Sequence, residues 1–468
     1  MARLMRSSSS SFSNPHSIYL TYCYFLHTRT LFSSICLLLF LNTANANGFN
    51  RLIQLPTNGL YRNSSISSKP VLLNIDDFGA KGDGFTDDTK VLQDVWKVAC
   101  SLPSRTKILI PKGKFYLIKP SNFGGPCQSD VTLKMSGSIT APREPEAWHG
   151  LDVHKWLYFH GIKNFKLEGG GIFDGMGQEW WARSCKRNNS NPCTHAPTAI
   201  TFHKCTNLKV RKVTMFNSQQ MHMAFTSCKH VSAANVTVIA PRDSPNTDGI
   251  HISASTYVEL KNLIISTGDD CISIVSNSSR IRINNVVCGQ GHGISIGSLG
   301  KYNTYAAVQD VIVNRAFFFD TENGVRIKTW QGGSGFARKI TFQNIWMQNV
   351  SNPIIIDQYY CDSSVPCLNQ TSAVSIENIS FRGIKGTSAK EEAMTFKCSD
   401  SYPCKRIYLE NIQLTTPSGI ANSYCWEAYG TSTGLIYPPP CISSGDIVIR
   451  HNVKPNSTYW RKDYYAFF

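Results

Sequence analysis

The chain has 468 residues, and 47 Lys and Arg against 31 Asp and Glu give it a formal charge of +16. Its ordinary apolar content predicts a folded globular protein, and a basic surface favours nucleic acid, anionic lipid or an acidic polysaccharide as partner. Because the sequence has no helix-turn-helix, zinc-finger or basic-helix pattern, we expect no nucleic-acid partner.

The first 46 residues are typical of a secretory signal peptide. Arginines precede an apolar segment from Leu31 to Leu41, and Ala44-Asn45-Ala46 offers a small-residue cleavage site. No later segment is apolar enough for a membrane span, so we expect a secreted, extracellular protein with no stable membrane association after cleavage. A retained signal anchor is the alternative. Residues 47–70 are polar and Ser-rich, which predicts a loose lead-in.

The cysteines agree with an oxidising compartment. Fourteen of the sixteen follow residue 46, an even number, and the clustered Cys-x-x-Cys spacing of a zinc site is missing. We therefore expect disulfides, although the sequence does not determine the pairing. We favour Cys271 with Cys288, because that bond would brace the acidic loop before Cys271. Four other pairs are close in sequence: Cys185/Cys193, Cys361/Cys367, Cys398/Cys404 and Cys425/Cys441.

From residue 71 the pattern predicts a short apolar run, a turn-rich stretch and then one amphipathic helix that Thr86 or Asp87 would cap. An amphipathic helix ahead of a repeat array suits a cap over an open apolar end. The apolar stripe of this helix consists of Val91, Leu92, Val95, Trp96 and Ala99.

The repeats are an eight-residue pattern, apolar-x-apolar-x-Asn-apolar-x-apolar. Their spacing of 23 to 27 residues in the middle of the chain is typical of a solenoid, whereas a propeller would need blades of about 40 residues. Asn recurring at one position suits a corner with left-handed backbone and amide stacking. We predict an all-β fold, a right-handed parallel β-helix, as one domain over 71–468 with an N-terminal capping helix and a C-terminal cap or tail. The corner positions are Asn235, Asn262, Asn285, Asn344, Asn378 and Asn411, with Lys212 and Arg315 in looser copies.

Polar side chains fall into columns when the short apolar runs of this region are aligned. Asp248, Asp270 and His292 share one column, and Asp269 directly precedes it. Another column contains His251, Ser273, Ser295 and Arg326, with Lys328 two residues further along. Each residue alone has an ordinary explanation as a turn, a cap or a solvated strand face. Independent solvated residues would not stack in register, so the columns predict a site on one open face.

These residue types suit the cleavage of a glycosidic bond. Carboxylates about one strand spacing apart, roughly 4.8 Å, cannot all ionise freely, so the pKa of one should rise. A protonated carboxylic acid beside an ionised carboxylate is the pair that glycoside hydrolysis requires. Arg326 and Lys328 would supply positive charge for a sugar carboxylate.

Four motifs resemble the signature of the polygalacturonases, glycoside hydrolase family 28. They are Asn246-Thr247-Asp248-Gly249, Gly268-Asp269-Asp270-Cys271, Gly291-His292-Gly293 and Arg326-Ile327-Lys328, in the family's order. The resemblance covers most of the mature chain, is closest to plant members, and implies a pectin-lyase-like β-helix. It also implies metal-free, cofactor-free hydrolysis of α-1,4-galacturonan with inversion, by a monomer acting in the cell wall.

The same resemblance implies a role for each site residue. Asp269 would be the general acid, Asp248 and Asp270 would activate the water, and His292 would tune the acid. Arg326 and Lys328 would hold the galacturonate. Asn246 and Tyr360 would contact the substrate, although neighbouring Tyr359 leaves the register of the tyrosine open.

Two other functions remain open at this stage. A calcium-dependent pectate lyase would use Arg326 or Lys328 as base and the aspartates as calcium ligands. A catalytically silent cell-wall protein would bind galacturonan through a basic groove without turnover. The sequence does not decide between endo and exo attack, because loops at the ends of the cleft determine it.

Overall fold

The computed structural model describes residues 69–363 and 365–444. Its strands pair in parallel into an 18-stranded and an 11-stranded sheet, which confirms the predicted parallel β-helix and excludes a propeller. The helices are α1 Thr89–Ser101 and α2 Gln178–Ala182, with short 3-10 turns at Ile75–Phe78, Pro145–Trp148 and Lys301–Asn303. The strands are β1 Val71–Asn74, β2 Asp83–Asp87, β3 Thr106–Ile110, β4 Phe115–Leu117, β5 Ser121–Gly124, β6 Val131–Met135, β7 Ser138–Thr140, β8 Lys155–His160, β9 Lys166–Glu168, β10 Ile172–Asp174, β11 Thr198–His203, β12 Thr206–Arg211, β13 Thr214–Phe216, β14 Met223–Thr226, β15 Lys229–Ile239, β16 Ile250–Ser253, β17 Thr256–Ser266, β18 Ile272–Ile274, β19 Ser278–Gly289, β20 Ile294–Leu299, β21 Tyr305–Phe319, β22 Asn323–Thr329, β23 Ser334–Val350, β24 Asn352–Asp357, β25 Ser375–Ser388, β26 Glu392–Lys397, β27 Cys404–Thr415, β28 Asn422–Trp426 and β29 Ala428–Tyr437.

The core is a continuous apolar column inside the coils. Alternate residues of each strand point inward, so that Ile250, Ile272, Ile294 and Val325 stack in register and are fully buried. Large aromatic rings fill the N-terminal part of the same column. Because each coil covers the apolar face of the next, the ends of the array need separate caps.

Helix α1 provides the N-terminal cap, as predicted. Leu92, Val95, Trp96 and Ala99 of its stripe are buried, and the Trp96 ring makes edge-on contacts of 5.4–5.6 Å with three core phenylalanines. The helix begins at Thr89, whose backbone N–H donates to the Asp87 carboxylate at 3.0 Å. The N-cap position is occupied by Asp88 and not by Thr86 or Asp87 as expected, although the Asp87 carboxylate satisfies one free N–H group of the first turn.

The Asn corner has the predicted backbone, with one correction. Asn235, Asn262 and Asn285 have φ of 54–61°, and their amides are linked by hydrogen bonds of 3.1 and 2.9 Å. Left-handed backbone costs most residues about 1–2 kcal/mol, and Asn tolerates it. The expected copy at Asn378 is wrong, because the strand register puts Gly383 at this corner instead.

Asn378 belongs to a second left-handed column, which the sequence pattern does not reveal. This mixed corner lies near the start of β12, β15, β17 and β19 in the larger sheet, and every member has a positive φ. Unlike the Asn corner, it carries many side-chain types. Its members are Asn164, Asn207, His230, Tyr257, Arg280, Asp310, Lys339, Asn378 and Arg406.

Six disulfides are present among the described residues. They include Cys271–Cys288, the four pairs that are close in sequence, and Cys100–Cys127. The expected disulfides are therefore present, while Cys205 and Cys228 are buried free thiols.

The coils continue past Thr415, because β28 and β29 add another coil. The predicted signal peptide, most of the lead-in and the end of the predicted C-terminal cap or tail lie outside the described residues. Within the described part of the chain, no helix has the length and apolarity that a membrane span requires.

Candidate active site

The acidic column lies at the amino ends of three neighbouring strands of the smaller sheet. Residues Ile250, Ile272 and Ile294 pair in register, so Asp248, Asp270 and His292, each two residues earlier, come from successive coils. The next coil contributes Arg326, opposite Ser295, and Lys328. Four consecutive coils thus bring these side chains to one place.

Asp270 is the most tightly held carboxylate of the site. It is 2% exposed, and its two oxygens accept hydrogen bonds from Arg326 Nη2 at 2.8 Å and from Lys328 Nζ at 2.9 Å. Ser295 Oγ donates a third bond at 2.7 Å and in turn accepts one from Arg326 Nε at 3.0 Å. Burial opposes ionisation, but the Lys328 and Arg326 charges hold the pKa of Asp270 below its usual value. Asp270 is therefore ionised.

Asp269 forms an ion pair with His292. Its Oδ1 lies 3.0 Å from His292 Nδ1 and accepts the Asp270 backbone N–H at 2.7 Å. Burial would raise the pKa of Asp269, yet the His292 charge outweighs it and leaves this pKa below the usual value. Burial likewise disfavours the imidazolium, but the Asp269 carboxylate raises the pKa of His292 to about 8. Glu322, which the motifs did not indicate, lies 3.4 Å from His292 Nε2.

Asp248 has the opposite electrostatic environment. Burial, and then the nearby charges of Asp269 and Asp270, raise its pKa well above the ordinary value. Its Oδ2 accepts a hydrogen bond from Ser273 Oγ at 2.7 Å, and His251 Nδ1 lies 2.8 Å from that same hydroxyl. Burial lowers the pKa of His251 to about 4, so this imidazole is neutral near pH 7. The site therefore combines one carboxyl group whose pKa is raised with two whose pKa values are lowered.

The two predicted substrate-contacting side chains lie beside these groups. Asn246 Nδ2 is 3.4 Å from Asp269 Oδ2, and the Tyr360 ring centre is 5.3 Å from Lys328 Nζ. Tyr359, the alternative tyrosine, instead donates its hydroxyl to Asp400 at 3.0 Å. The Trp330 ring packs edge-on against Tyr360 at 5.5 Å. Trp330 lies two residues after Lys328 and outside the four motifs, and no sequence pattern indicated a role for it.

The Cys271–Cys288 disulfide fixes the loop that carries the acids. Both cysteines are fully buried, and Cys271 directly follows Asp270 in the chain. The bond joins the start of β18 to β19, a neighbouring strand of the other sheet. It therefore restrains the backbone on the carboxyl side of Asp269 and Asp270.

The donor set at the acids does not favour a metal ion. One potential ligand atom from each of Asp269, Asp270 and His292 lies within 4.8 Å of the others. However, both Asp270 oxygens already accept hydrogen bonds from cationic side chains, and the raised pKa of His292 keeps its imidazole protonated. A hard cation such as Ca²⁺ prefers several available oxygen ligands and would be repelled by these charges.

A family model and several known proteins match this chain. The family model of glycosyl hydrolases family 28 matches residues 100–432. The chain is 55% identical over 421 residues to a probable polygalacturonase of Arabidopsis thaliana, covering 89% of this chain and 94% of that protein. It is 51% identical to a polygalacturonase of Persea americana over 74% of each protein.

Solved structures share the fold. An endo-xylogalacturonan hydrolase from Aspergillus tubingensis superposes with a TM-score of 0.67 at 20% identity, over 78% of this chain and 99% of that one. A Thermotoga maritima exopolygalacturonase gives 0.65 at 20% identity, over 77% and 90%. Since the family model spans most of the sequence and the relatives match along nearly all of its described length, the chain belongs to glycosyl hydrolases family 28.

Proposed function

We propose that this protein is a polygalacturonase that hydrolyses α-1,4-galacturonosyl linkages of pectin by acid–base catalysis with inversion. The observation that carries the proposal is the convergence of Asp248, Asp269 and Asp270 on one strand edge beside Arg326 and Lys328. Relatives at 44–55% identity bear the name polygalacturonase, which supports the same substrate. Inversion is taken from the family resemblance.

Asp269 is the proposed general acid. Its carboxylate and the His292 imidazolium share one dissociable proton across a 3.0 Å contact. That proton reaches the leaving glycosidic oxygen through Asp269, and the departing sugar takes it as its hydroxyl hydrogen. His292 thereby sets the pH range in which Asp269 can deliver a proton. Because the pKa of His292 is raised to about 8, the imidazolium still carries that proton near pH 7.

Asp270 and Asp248 activate the water. Ionised Asp270 accepts a proton from the attacking water, and Asp248, whose pKa is raised, orients that water. The water oxygen forms the new bond to the anomeric carbon while the glycosidic bond breaks. The opposed pKa shifts of these two carboxyl groups are the pattern expected when neighbouring acids have different roles.

Arg326, Lys328, Tyr360 and Asn246 are the proposed substrate contacts. Arg326 and Lys328 already bind Asp270, so a galacturonate carboxylate would share these cations with it. Tyr360 adds an aromatic face beside Lys328. Such a site favours an anionic sugar over a neutral one, because the two positive charges of Arg326 and Lys328 exceed the one negative charge of Asp270.

The two rival functions are less well supported. A lyase needs a neutral Arg or Lys as base, whereas both cations here are ion-paired with Asp270 and the pKa of Arg326 is raised despite burial. A silent galacturonan-binding protein would not need the acid pair of Asp269 and His292. Release of new reducing ends from galacturonan would distinguish the enzyme from a silent binding protein.

We also propose that residues 1–46 are removed and that the mature protein acts as a secreted monomer in the cell wall. The relatives named polygalacturonase and the six disulfides support this location. N-terminal sequencing of secreted protein should begin at Asn47. Size-exclusion chromatography with light scattering tests the monomer.

The test of the function is digestion of de-esterified homogalacturonan by the wild type and by Asp269→Asn. We expect new reducing ends from the wild type, unaffected by a calcium chelator, with products that lack the unsaturated ring of a lyase. Asp269→Asn should lose about a thousandfold or more in rate while binding substrate normally. The control Asp94→Asn, on exposed α1, should keep full activity. Activity that survives in Asp269→Asn would reject the acid assignment, and product sizes from the wild type decide endo against exo attack.

A further inference from the structure

A groove of about 700 Å³ lies outside the catalytic column, along part of the mixed corner. Its lining includes His230, Tyr257 and Arg280, which come from three successive coils. The His230 and Tyr257 rings stack at 4.7 Å with an angle of 17°, and the Arg280 guanidinium lies 4.9 Å from the centre of the Tyr257 ring. Together they form a continuous ladder of flat, exposed groups across the coils.

The backbone under this ladder is left-handed. His230, Tyr257 and Arg280 have φ of 57°, 57° and 56°. Asn tolerates this conformation well and occupies most of the other corner, where Lys212 and Arg315 are exceptions, whereas Tyr and Arg tolerate it less well. Tyr257 is 43% exposed, so its ring is not needed to fill the core. The ladder therefore consists of exposed side chains on backbone that Asn would adopt at lower cost.

The rest of the groove has the chemistry of an acidic-sugar site. Lys166 and Lys209 sit opposite each other on neighbouring strands and line the same groove. Together with Arg280 they provide cations for uronate carboxylates, while Glu259 provides an acceptor for sugar hydroxyl groups. The stacked rings offer an apolar face on which the C–H side of a sugar ring can pack. None of these residues belongs to the catalytic column.

We propose that this groove is a second, non-catalytic binding site for an acidic polysaccharide, which it recognises by ring stacking on Tyr257 and His230 and by pairing uronate groups with Arg280, Lys209 and Lys166. The inference rests on the proposed function only in taking the ligand to be of the same chemical class as the substrate. A polymer held at this groove raises the local concentration of cleavable chain at the catalytic site. The groove therefore retains the enzyme on an insoluble matrix.

The test exploits the backbone conformation. Tyr257→Asn and Arg280→Asn, singly and together, remove the ladder but put a residue suited to left-handed backbone in its place. We expect the unfolding temperature to stay the same or rise. The dissociation constant for insoluble de-esterified homogalacturonan should increase about fivefold for each change. The rate on short soluble oligogalacturonides should not change, because these substrates span only the catalytic site.

Three controls make the result decisive. Tyr257→Phe keeps the ring and should keep adsorption, and Trp346→Ala removes a 55% exposed aromatic outside the groove and should leave adsorption unchanged. An insoluble neutral glucan should adsorb the wild type weakly. Unchanged adsorption in the Tyr257→Asn/Arg280→Asn protein, or an equal loss in Trp346→Ala, would overturn the second site. Failure of the wild type to cleave the soluble oligomers would instead reject the proposed function and leave the adsorption result standing.

Discussion

Replacing Lys328 with Met tests how the site holds its buried charge. The change keeps an unbranched side chain of similar length and removes only the ammonium group that lies 2.9 Å from Asp270. Asp270 is 2% exposed and would retain Arg326 and Ser295 as partners. Removing the sole partner of a buried charge costs about 3–5 kcal/mol, and because Arg326 still compensates Asp270 here, the loss of Lys328 should cost about 2 kcal/mol. We expect a loss of this size in the free energy of unfolding.

Urea unfolding followed by circular dichroism measures this loss at pH 7. A second variant, Asp270→Asn, and the double variant complete a mutant cycle in which the double should be less destabilised than the sum of the singles by about 2 kcal/mol. The control is Lys186→Met, which breaks a pair with Asp362 at 2.7 Å whose side chains are 45% and 30% exposed. That loss should stay below about 1 kcal/mol. If Lys328→Met and Lys186→Met cost the same, the electrostatic account of Asp270 is wrong.

Three further predictions concern stability. The pKa of His292 is raised from 6.5 to about 8 and that of Asp269 is lowered, so their ion pair should stabilise the fold most between about pH 4 and 6.5. This stabilisation should be lost as the pH rises through 8. Thermal unfolding scans of His292→Gln should no longer show that loss. Replacing Cys271 and Cys288 with Ala opens a loop with a sequence separation of 17 and should cost about 3 kcal/mol in urea unfolding; a loss under 1 kcal/mol would contradict the bracing role. Asn262→Ala removes both side-chain amide hydrogen bonds of the Asn corner at a residue with a φ of 55°, and it should cost about 1–2 kcal/mol in the free energy of unfolding. Asn262→Gly should recover the part of this cost that comes from the backbone conformation. Equal losses in the two variants would assign the whole effect to the amide hydrogen bonds.

The coil architecture could be predicted because its cause is local. Alternation at period two and a recurring Asn specify strands and corners within one coil, and equal spacing from Asp248 to Asp270 to His292 fixes the stacking. The repeat pattern misplaced the corner at Asn378. The residues from Val374 fit the repeat, but in the structure the repeat begins five residues later, at Ile379, and only the pairing between strands shows this shift.

The site was less predictable, because its electrostatics depend on distances between coils. The columns indicated that Asp270, Arg326 and Lys328 converge. They did not indicate that Asp270 accepts hydrogen bonds from both cations, whereas Asp248 has no cation within hydrogen-bonding distance among the described residues. The serine column contained the signal for Ser273 and Ser295, since each lies one coil after the carboxyl group to which it donates a hydrogen bond. Glu322 and Trp330 carried no pattern, because loops position them.

The in-register stacking of β16, β18, β20 and β22 also determines where this chain tolerates changes in length. A single residue inserted within β16, between Ile250 and Ile252, would turn the rest of that strand over and send its apolar side chains outward. By contrast, the turn between β20 and β21, residues 300–304, is longer than the corresponding turn between β18 and β19, residues 275–277, and β22 still pairs with β20. Loops at that bend can therefore grow or shrink without moving a reacting group, so new specificities would arise there rather than in the strands.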